Sequence, residues 1–400
     1  MTILTSIEEI VKDYFGDLFE NTEEFYLKNF LVLIQGILSK KHGSVSGIAM
    51  DPLNKVAHTT LTRFLREHTP FWYEIQKRVR EILKLKTETK RIIIIDDTLV
   101  ERRGKQIPYT SKQFDHCQSR YTHGQVVLTI GEIMDSLFQP LEMMFTGSAK
   151  ETPHTTKNEL VVAWMKANTI KDVVIVADSW YTNSYLIETC HYQHNSTFIG
   201  RLKSNLLLRE QDSKEAFFKT SKLIHSSKMN RKTIIRGKVI KYRSWLVHLK
   251  SVRIPLKIVI TELKDGSRAA LVSSNITLSS EEIISYYALR WSIESFFKLV
   301  KQNFSFSKCQ IRSKDAQNNF MLLVSIVYLI FKDLKSLVSK VQKNCSNPVL
   351  FAALDAALST SFVIKPMVAL FDFSFLDIVL SFCPSYIQPL LHPLLLGRTL

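Results

Sequence analysis

Apolar positions along the chain fall into two textures. Over residues 1–88 they recur at three- and four-residue spacing, as in Ile7–Phe19 and Phe25–Leu38, without strand-like alternation. That spacing lines one stripe of a helix, so an N-terminal all-α domain is expected. Within it, residues 46–70 predict a short helix, a turn centred on Asp51–Asn54, and a second helix exposing His58, Thr59, Thr62, Arg63 and Arg66. The pattern suits helix-turn-helix reading of DNA, with Arg63 a candidate contact, and equally an ordinary helical hairpin with a solvated face.

From Lys90 the texture changes to short β-branched runs alternating with helical segments. The run Arg91–Asp97, "RIIIIDD", is apolar without alternation, as a strand buried on both faces would be. Gln125–Met134, Leu141–Thr146, Asp172–Ala177 and Ser196–Gly200 predict further strands, and Lys157–Ala167 and Tyr181–His194 predict helices. Residues 202–275 read as a β-rich insertion with basic or Gly-containing turns. Ser279–Lys301 opens with Ser279 or Ser280 followed by Glu281 and Glu282, an N-cap signature that predicts one long helix. A second helix over Lys314–Leu337 is expected to pack behind it, and residues 347–400 read as an apolar helical tail.

Three strands, a crossover helix and two more strands imply a mixed sheet, antiparallel first and parallel later, flanked by helices. The expected fold is therefore α/β of ribonuclease H-like layout. The chain divides on this basis into a helical DNA-binding domain at 1–88, a catalytic domain at 89–336 interrupted by the insertion 202–275, and a helical C-terminal region at 337–400.

Charge adds a partner class. The 53 Lys+Arg against 37 Asp+Glu give a formal net charge of +16, which points to a polyanion, nucleic acid first. The N-terminus carries acids from Glu8 onward and lacks the basic start and apolar run of a signal peptide, so a cytoplasmic location is expected. Phe320–Phe331 is too short to span a bilayer, and residues 362–383 are interrupted by Lys365, Pro366, Asp372 and Asp377, so no membrane role is expected. Five scattered cysteines without a CxxC pair describe reduced thiols.

The chemistry-bearing residues lie at strand ends and on one helix. If Arg91–Asp97 and Asp172–Asp178 are neighbouring strands, their terminal carboxylates converge and repel unless a cation compensates them. Oxygen ligands of this type suit Mg²⁺ or Mn²⁺. In the helix, Tyr287, Arg290, Glu294 and Lys301 are offset by three, seven and fourteen positions and fall on one stripe, with Leu289, Ile293, Phe296 and Val300 roughly opposite. Alone, this row is a solvated face with an i,i+4 ion pair. Beside two strand-end acids it becomes a third metal ligand flanked by phosphate-holding cations.

Asp96–Thr98, the strand-end Asp178 in "VIVADSWYTN", "FIGRLKSN" and Tyr-x2-Arg-x3-Glu-x6-Lys over 287–301 resemble the DDE transposases of bacterial cut-and-paste insertion sequences. The resemblance covers about residues 91–331. It implies a transposase that binds terminal inverted repeats, pairs two ends as a homodimer in a synaptic complex, and cuts and rejoins double-stranded DNA with two metal ions held by Asp96, Asp178 and Glu294. Tyr287, Arg290 and Lys301 are then expected at phosphates, and Trp245 is a candidate for stacking on a displaced base. Lys105, with Arg102 and Arg103, and Arg201 with Lys203 are further candidate DNA contacts. Competing readings are a ribonuclease H-like nuclease or resolvase without strand transfer, and an inactive DNA-binding derivative. Whether Asp96 or Asp97 is the ligand stays open from alternation, because both faces of the strand are apolar. The family's Asp-x-Thr pattern favours Asp96.

Overall fold

The computed structural model describes residues 3–20, 23–39, 44–51, 56–67, 70–84, 91–104, 106–115, 118–134, 137–147 and 155–341, with 346, 347, 350 and 354 beyond them. In chain order, five helices come first: α1 (Ile3–Glu20), α2 (Glu24–Leu38), α3 (Val45–Met50), α4 (His58–Arg66) and α5 (Pro70–Lys84). Next are β1 (Ile92–Glu101), β2 (Thr110–Asp115), β3 (Arg120–Met134), β4 (Leu137–Phe145), α6 (Lys157–Ala167), β5 (Val174–Ala177), α7 (Ser184–His194) and β6 (Thr197–Arg201). The insertion supplies β7 (Leu207–Glu210), β8 (Phe218–Lys219), α8 (Thr220–Ser226), β9 (Arg231–Ile235), β10 (Lys238–Leu249), β11 (Leu256–Glu262) and β12 (Arg268–Ser273). Three helices close the described chain: α9 (Ser280–Ala288), α10 (Trp291–Asn303) and α11 (Lys314–Val341). The chain forms two compact units, one of residues 1–85, 101–108 and 298–400, the other of 86–100 and 109–297.

In the first unit, α11 lies against α1, α2, α4 and α5. Phe320, Leu323, Val324, Val327, Ile330 and Phe331 are all buried, so α11 is apolar well beyond one stripe and needs partners on several sides. The N-terminal helices supply aromatic ones. Phe15, Phe30, Phe64, Phe71 and Trp72 meet edge-on or tilted at centroid distances of 5.0–6.3 Å, which suits aromatic packing. The polar links are directional: Asn319 Nδ2 donates to the Leu65 carbonyl at 3.0 Å, and the Tyr14 hydroxyl donates to Asp333. Arg102, a candidate phosphate contact, has another use. It is buried, donating to the carbonyls of Ser307 at 2.7 Å and Phe306 at 3.4 Å, and burial lowers its pKa to about 10.

The second unit is a mixed α/β body built on one 12-stranded sheet ordered β2-β3-β1-β5-β6-β12-β11-β10-β7-β8, with β4 on β3 and β9 on β10. β1, β5 and β6 are parallel, whereas β2–β3, β3–β4 and the pairs from β6 through β12 to β10 are antiparallel. This is the mixed, helix-flanked sheet expected from the element order. β2 went unanticipated because all its residues but Phe114 are polar and none is fully covered, leaving no apolar alternation to read. The insertion continues the same sheet, Leu271, Val272 and Ser273 of β12 pairing with Arg201, Gly200 and Ile199 of β6.

The single long helix expected over 279–301 is two helices. Ser279 caps α9 with the reciprocal Glu282 bond, as the signature predicted. At the junction, Arg290 N bonds the Tyr287 carbonyl at 3.1 Å and Ile293 N bonds the Arg290 carbonyl at 3.2 Å. These three-residue bonds tighten the backbone and separate α9 from α10.

Candidate active site

Parallel pairing of β1 with β5 ends at Ile95 opposite Ala177, so Asp96, still on β1, and Asp178, the first residue beyond β5, follow at the end of the paired stretch. The Asp178 carboxylate turns back on its own backbone, Oδ1 accepting from Trp180 N at 2.8 Å and Tyr181 N at 3.3 Å, as Asp does in tight turns. The Asp178 carbonyl accepts from Thr182 Oγ1 at 2.8 Å. Gly200 on β6 makes room for this turn, because a Cβ there would stand 2.2 Å from Thr182 Oγ1.

Asp96 and Asp97 diverge, as side chains of consecutive strand residues do. Asp96 Oδ2 accepts from Arg290 Nη1 at 3.0 Å, and its Oδ1 accepts from Asp97 N at 2.8 Å. Arg290 Nη2 donates to Glu294 Oε1 at 2.6 Å, so one guanidinium joins the middle of β1, which runs on past the two aspartates to Glu101, to α10. Asp97 Oδ1 instead accepts from Lys157 Nζ at 2.7 Å and from the Tyr181 hydroxyl at 2.7 Å. Lys157 Nζ also lies 3.8 Å from the centre of the Trp180 ring, a cation–π contact.

The electrostatics follow this arrangement. Burial, and then the charge of Asp178, push the Asp96 carboxyl up to about 7 despite the opposing pull of Arg290. Burial lowers the tendency of Arg290 to hold its proton, but Tyr287, Asp96 and Glu294 outweigh it, and the net shift is upward. Tyr287 is raised by burial, with Arg290 and Arg201 pulling against the shift, so Arg201 acts on the same cluster. Tyr181 is pushed well above its ordinary value by burial and by the charge and hydrogen bond of Asp97.

A carboxyl driven this far from its ordinary value is short of positive charge. Oxygen donors from Asp96, Asp178 and Glu294 match the preference of a hard divalent cation, and the raised Asp96 marks where its charge is most wanted. Among the described residues, no three His, Cys, Asp or Glu side chains close into a ligand cluster, and Arg290 lies between Asp96 and Glu294. The donor chemistry fits the ion, with Arg290 as the cation now satisfying two of the three acids.

The other candidates are dispersed. Arg201 ends β6 and Lys203 follows it, both exposed. Lys301 is on α10, about two turns beyond Glu294. Arg63 is exposed on α4 and pairs with Glu67 at 3.1 Å. Trp245 on β10 is half-buried against the core, with the Arg243 guanidinium 5.1 Å from its ring centre. Lys105 lies outside the described residues. Lys157, Trp180 and Tyr181 were not foreseen as site residues. The aromatic pair one residue beyond Asp178 was visible in "DSWYTN", but nothing local tied Lys157 to Asp97.

Residues 87–330 match the family model described as a transposase DDE domain. Among solved structures, the chain is similar to the piggyBac transposase in the cryo-EM structure of its synaptic complex with hairpin DNA. The identity is 15%, the TM-score 0.48, and the match covers 92% of this chain and 83% of that one. No curated protein sequence matches the chain. Among the described residues, no helix is long and apolar enough to cross a membrane.

Proposed function

The chain belongs to the DDE transposases, and on that premise we propose that it mobilises an insertion sequence by binding terminal inverted repeats and catalysing metal-dependent DNA cleavage and strand transfer. The observation that carries this reading is the joining of Asp96 and Glu294 through Arg290, with Asp178 ending the adjacent strand.

In this reading Asp96, Asp178 and Glu294 hold Mg²⁺ or Mn²⁺, two ions per site. Bound there, the metal would neutralise charge developing on the phosphate and acidify the attacking water or hydroxyl. The protein's own groups do the positioning. Arg290, freed from its two carboxylates once they ligate, turns its fork-shaped guanidinium to a phosphate, a geometry to which it is suited. Tyr287, Arg201, Lys203, Lys301 and Lys105 serve as phosphate contacts, and Arg63 on α4 contacts duplex DNA within the N-terminal domain. Trp245 stacks on a displaced base. Asp97 serves as a positioning acid, because its oxygen is held by Lys157 and Tyr181 rather than by Arg290. The protein acts as a homodimer in the cytoplasm, away from the membrane.

The test uses purified protein, Mg²⁺ and a labelled duplex ending in the element's own inverted repeats. Nicking at the repeat boundary, followed by joining to a target duplex and abolished by Glu294→Ala, is the expected result. Cleavage at scattered positions that persists in Glu294→Ala would overturn the proposal, and boundary cleavage without joining would favour a nuclease.

A further inference from the structure

The stretch 228–243 carries Lys228, Arg231, Lys232, Arg236, Lys238, Lys241 and Arg243 and no acid, the densest run of cations in the insertion. Its fold is a two-stranded ribbon. β9 pairs with β10 off the main strand order, from Arg231 opposite Tyr242 to Ile235 opposite Lys238. Arg236 and Gly237 form the tip with φ of 49° and 72°, the mirror-image turn whose twist matches that of the flanking strands.

The two faces of the ribbon differ. Directly paired residues share a face, so Ile240 and Tyr242 lie with Thr233 and Arg231 on one side. That side is anchored: Ile240 and Tyr242 are buried, the Tyr242 hydroxyl donates to Glu281 of α9, and α9 packs against β9. The opposite side sets Lys232 directly across from Lys241 and Ile234 across from Val239. Ile234 is 69% exposed, and Lys232, Arg236 and Lys238 are exposed as well. Lys241 lies 3.7 Å from Glu262, whereas no ion pair involves Lys232 or Arg236 among the described residues.

Two lysines opposed across a strand pair repel, and an isoleucine exposed beside them leaves apolar surface in water. One occupant relieves both. We infer that the outer face of the β9–β10 ribbon is a grip for duplex DNA: the ribbon lies in the major groove, Lys232, Arg236 and Lys241 reach the flanking phosphates, and Ile234 and Val239 meet the groove edge. The dimensions agree, since the major groove admits a two-stranded β-ribbon and offers thymine methyl groups for apolar contact. The charge agrees, since Lys232 and Arg236 have no ion pair among the described residues and Lys241, 62% exposed, has only the 3.7 Å pair with Glu262 to exchange for phosphate. Because α9 carries the base of the ribbon at Glu281 and ends beside Tyr287, a duplex held by the ribbon is registered to the acidic cluster through one short helix. This inference rests on the proposed action on DNA and adds a contact outside the cluster.

The experiment measures binding of the full chain to a fluorescein-labelled duplex of arbitrary sequence by anisotropy over a series of KCl concentrations. The Lys232→Ala/Lys241→Ala variant should bind several-fold more weakly, with the slope of log K against log salt reduced by roughly two, the value for two lost phosphate contacts. Lys232→Arg/Lys241→Arg should restore the slope, and Ile234→Ser should weaken binding with the slope unchanged. Glu294→Ala should bind with the wild-type slope while failing to cleave. A wild-type slope in the double alanine variant, with an unaltered melting temperature, overturns the inference and leaves the transposase reading intact. So does a double variant that dissociates from dimer to monomer at unchanged salt slope, because the ribbon would then grip a second copy. Absence of duplex binding by the wild type overturns both.

Discussion

Asp96 and Asp97, consecutive on β1, are held by different elements: Asp96 by Arg290 from the α9–α10 junction, Asp97 by Lys157 at the start of α6 and by Tyr181. Neutralising either acid by Asp→Asn should therefore have opposite consequences. Asp97→Asn deprives a largely buried ammonium of its counter-charge and should cost about 2 kcal/mol, less than the full penalty for an isolated buried charge because solvent reaches the pair. Asp96→Asn should leave the melting temperature near or above wild type and eliminate cleavage. Calorimetry beside a cleavage assay separates the two, and equal loss of stability in both variants would contradict the division of roles.

Stability should fall across the pH range in which Asp96 ionises. Its pKa in the fold stands near 7 against an ordinary 3.8, so its contribution is full below about pH 4 and disappears as pH rises through about 7. With no divalent ion present, denaturant midpoints should decline over that window by an amount on the order of a few kcal/mol in free energy. Asp96→Asn should flatten the curve there, and an unchanged slope in that variant would assign the dependence to other groups.

Divalent metal should stabilise the protein before any DNA is added. A site that binds only the folded state gains about 2.7 kcal/mol at a hundredfold excess over Kd, readable as a rise in melting temperature with added Mg²⁺ or Mn²⁺. Asp96→Asn and Asp178→Asn should each abolish the rise. Arg290→Met should strengthen it, because the guanidinium now shared by Asp96 and Glu294 competes with the ion. Persistence of the rise in both aspartate variants would place the metal elsewhere.

Gly200 is a test of packing beside the Asp178 turn. In Gly200→Ala the new methyl group would lie 2.2 Å from Thr182 Oγ1 and 2.8 Å from the Phe198 ring, which must cost about 1–3 kcal/mol of overpacking. Combining it with Thr182→Ala should recover part of the loss, since one clash disappears. Additive melting shifts in the double variant would show that the two residues do not meet.

Arg102→Met removes the donor that satisfies the Ser307 and Phe306 carbonyls and should destabilise the fold by roughly 1–3 kcal/mol, the cost of leaving buried groups unpaired. Duplex affinity and its salt slope should stay at wild-type values, which anisotropy can check. A reduced slope would return Arg102 to the DNA surface.

Much of this architecture is legible in the chain because local rules decide it. The four isoleucines of β1 demand burial on both faces, and Ile93 and Ile95 share a core cluster with Val161 and Val162 of α6 and Leu186 of α7, while Ile94, on the other face, is buried as well. Ser279 and Glu282 form the cap that their spacing announces. Where several partners satisfy the same local pattern, the sequence is silent. Alternation turns Asp96 and Asp97 to opposite sides but does not say which side holds Arg290. Arg102 reads as a surface cation until a carbonyl pair some two hundred residues away claims it, and Lys157 gains its role only when α6 carries it to β1. The break at Leu289–Arg290 escapes helical periodicity because it only changes a few hydrogen bonds from a four- to a three-residue span, with no Gly or Pro to mark it.

The junction of β12 with β6 bears on how this protein can be taken apart. A sequence-drawn boundary suggests that the insertion is a cassette, removable with its ends rejoined. Yet β6 donates its free edge to β12 through Arg201, Gly200 and Ile199. Excising 202–275 would strip that edge bare and leave a row of unpaired amides and carbonyls along the very strand that backs the Asp178 turn. Such an edge is a template for intermolecular strand pairing. A trimmed enzyme is thus expected to precipitate rather than to lose one function cleanly, and dissection by point substitution will be more informative than dissection by deletion.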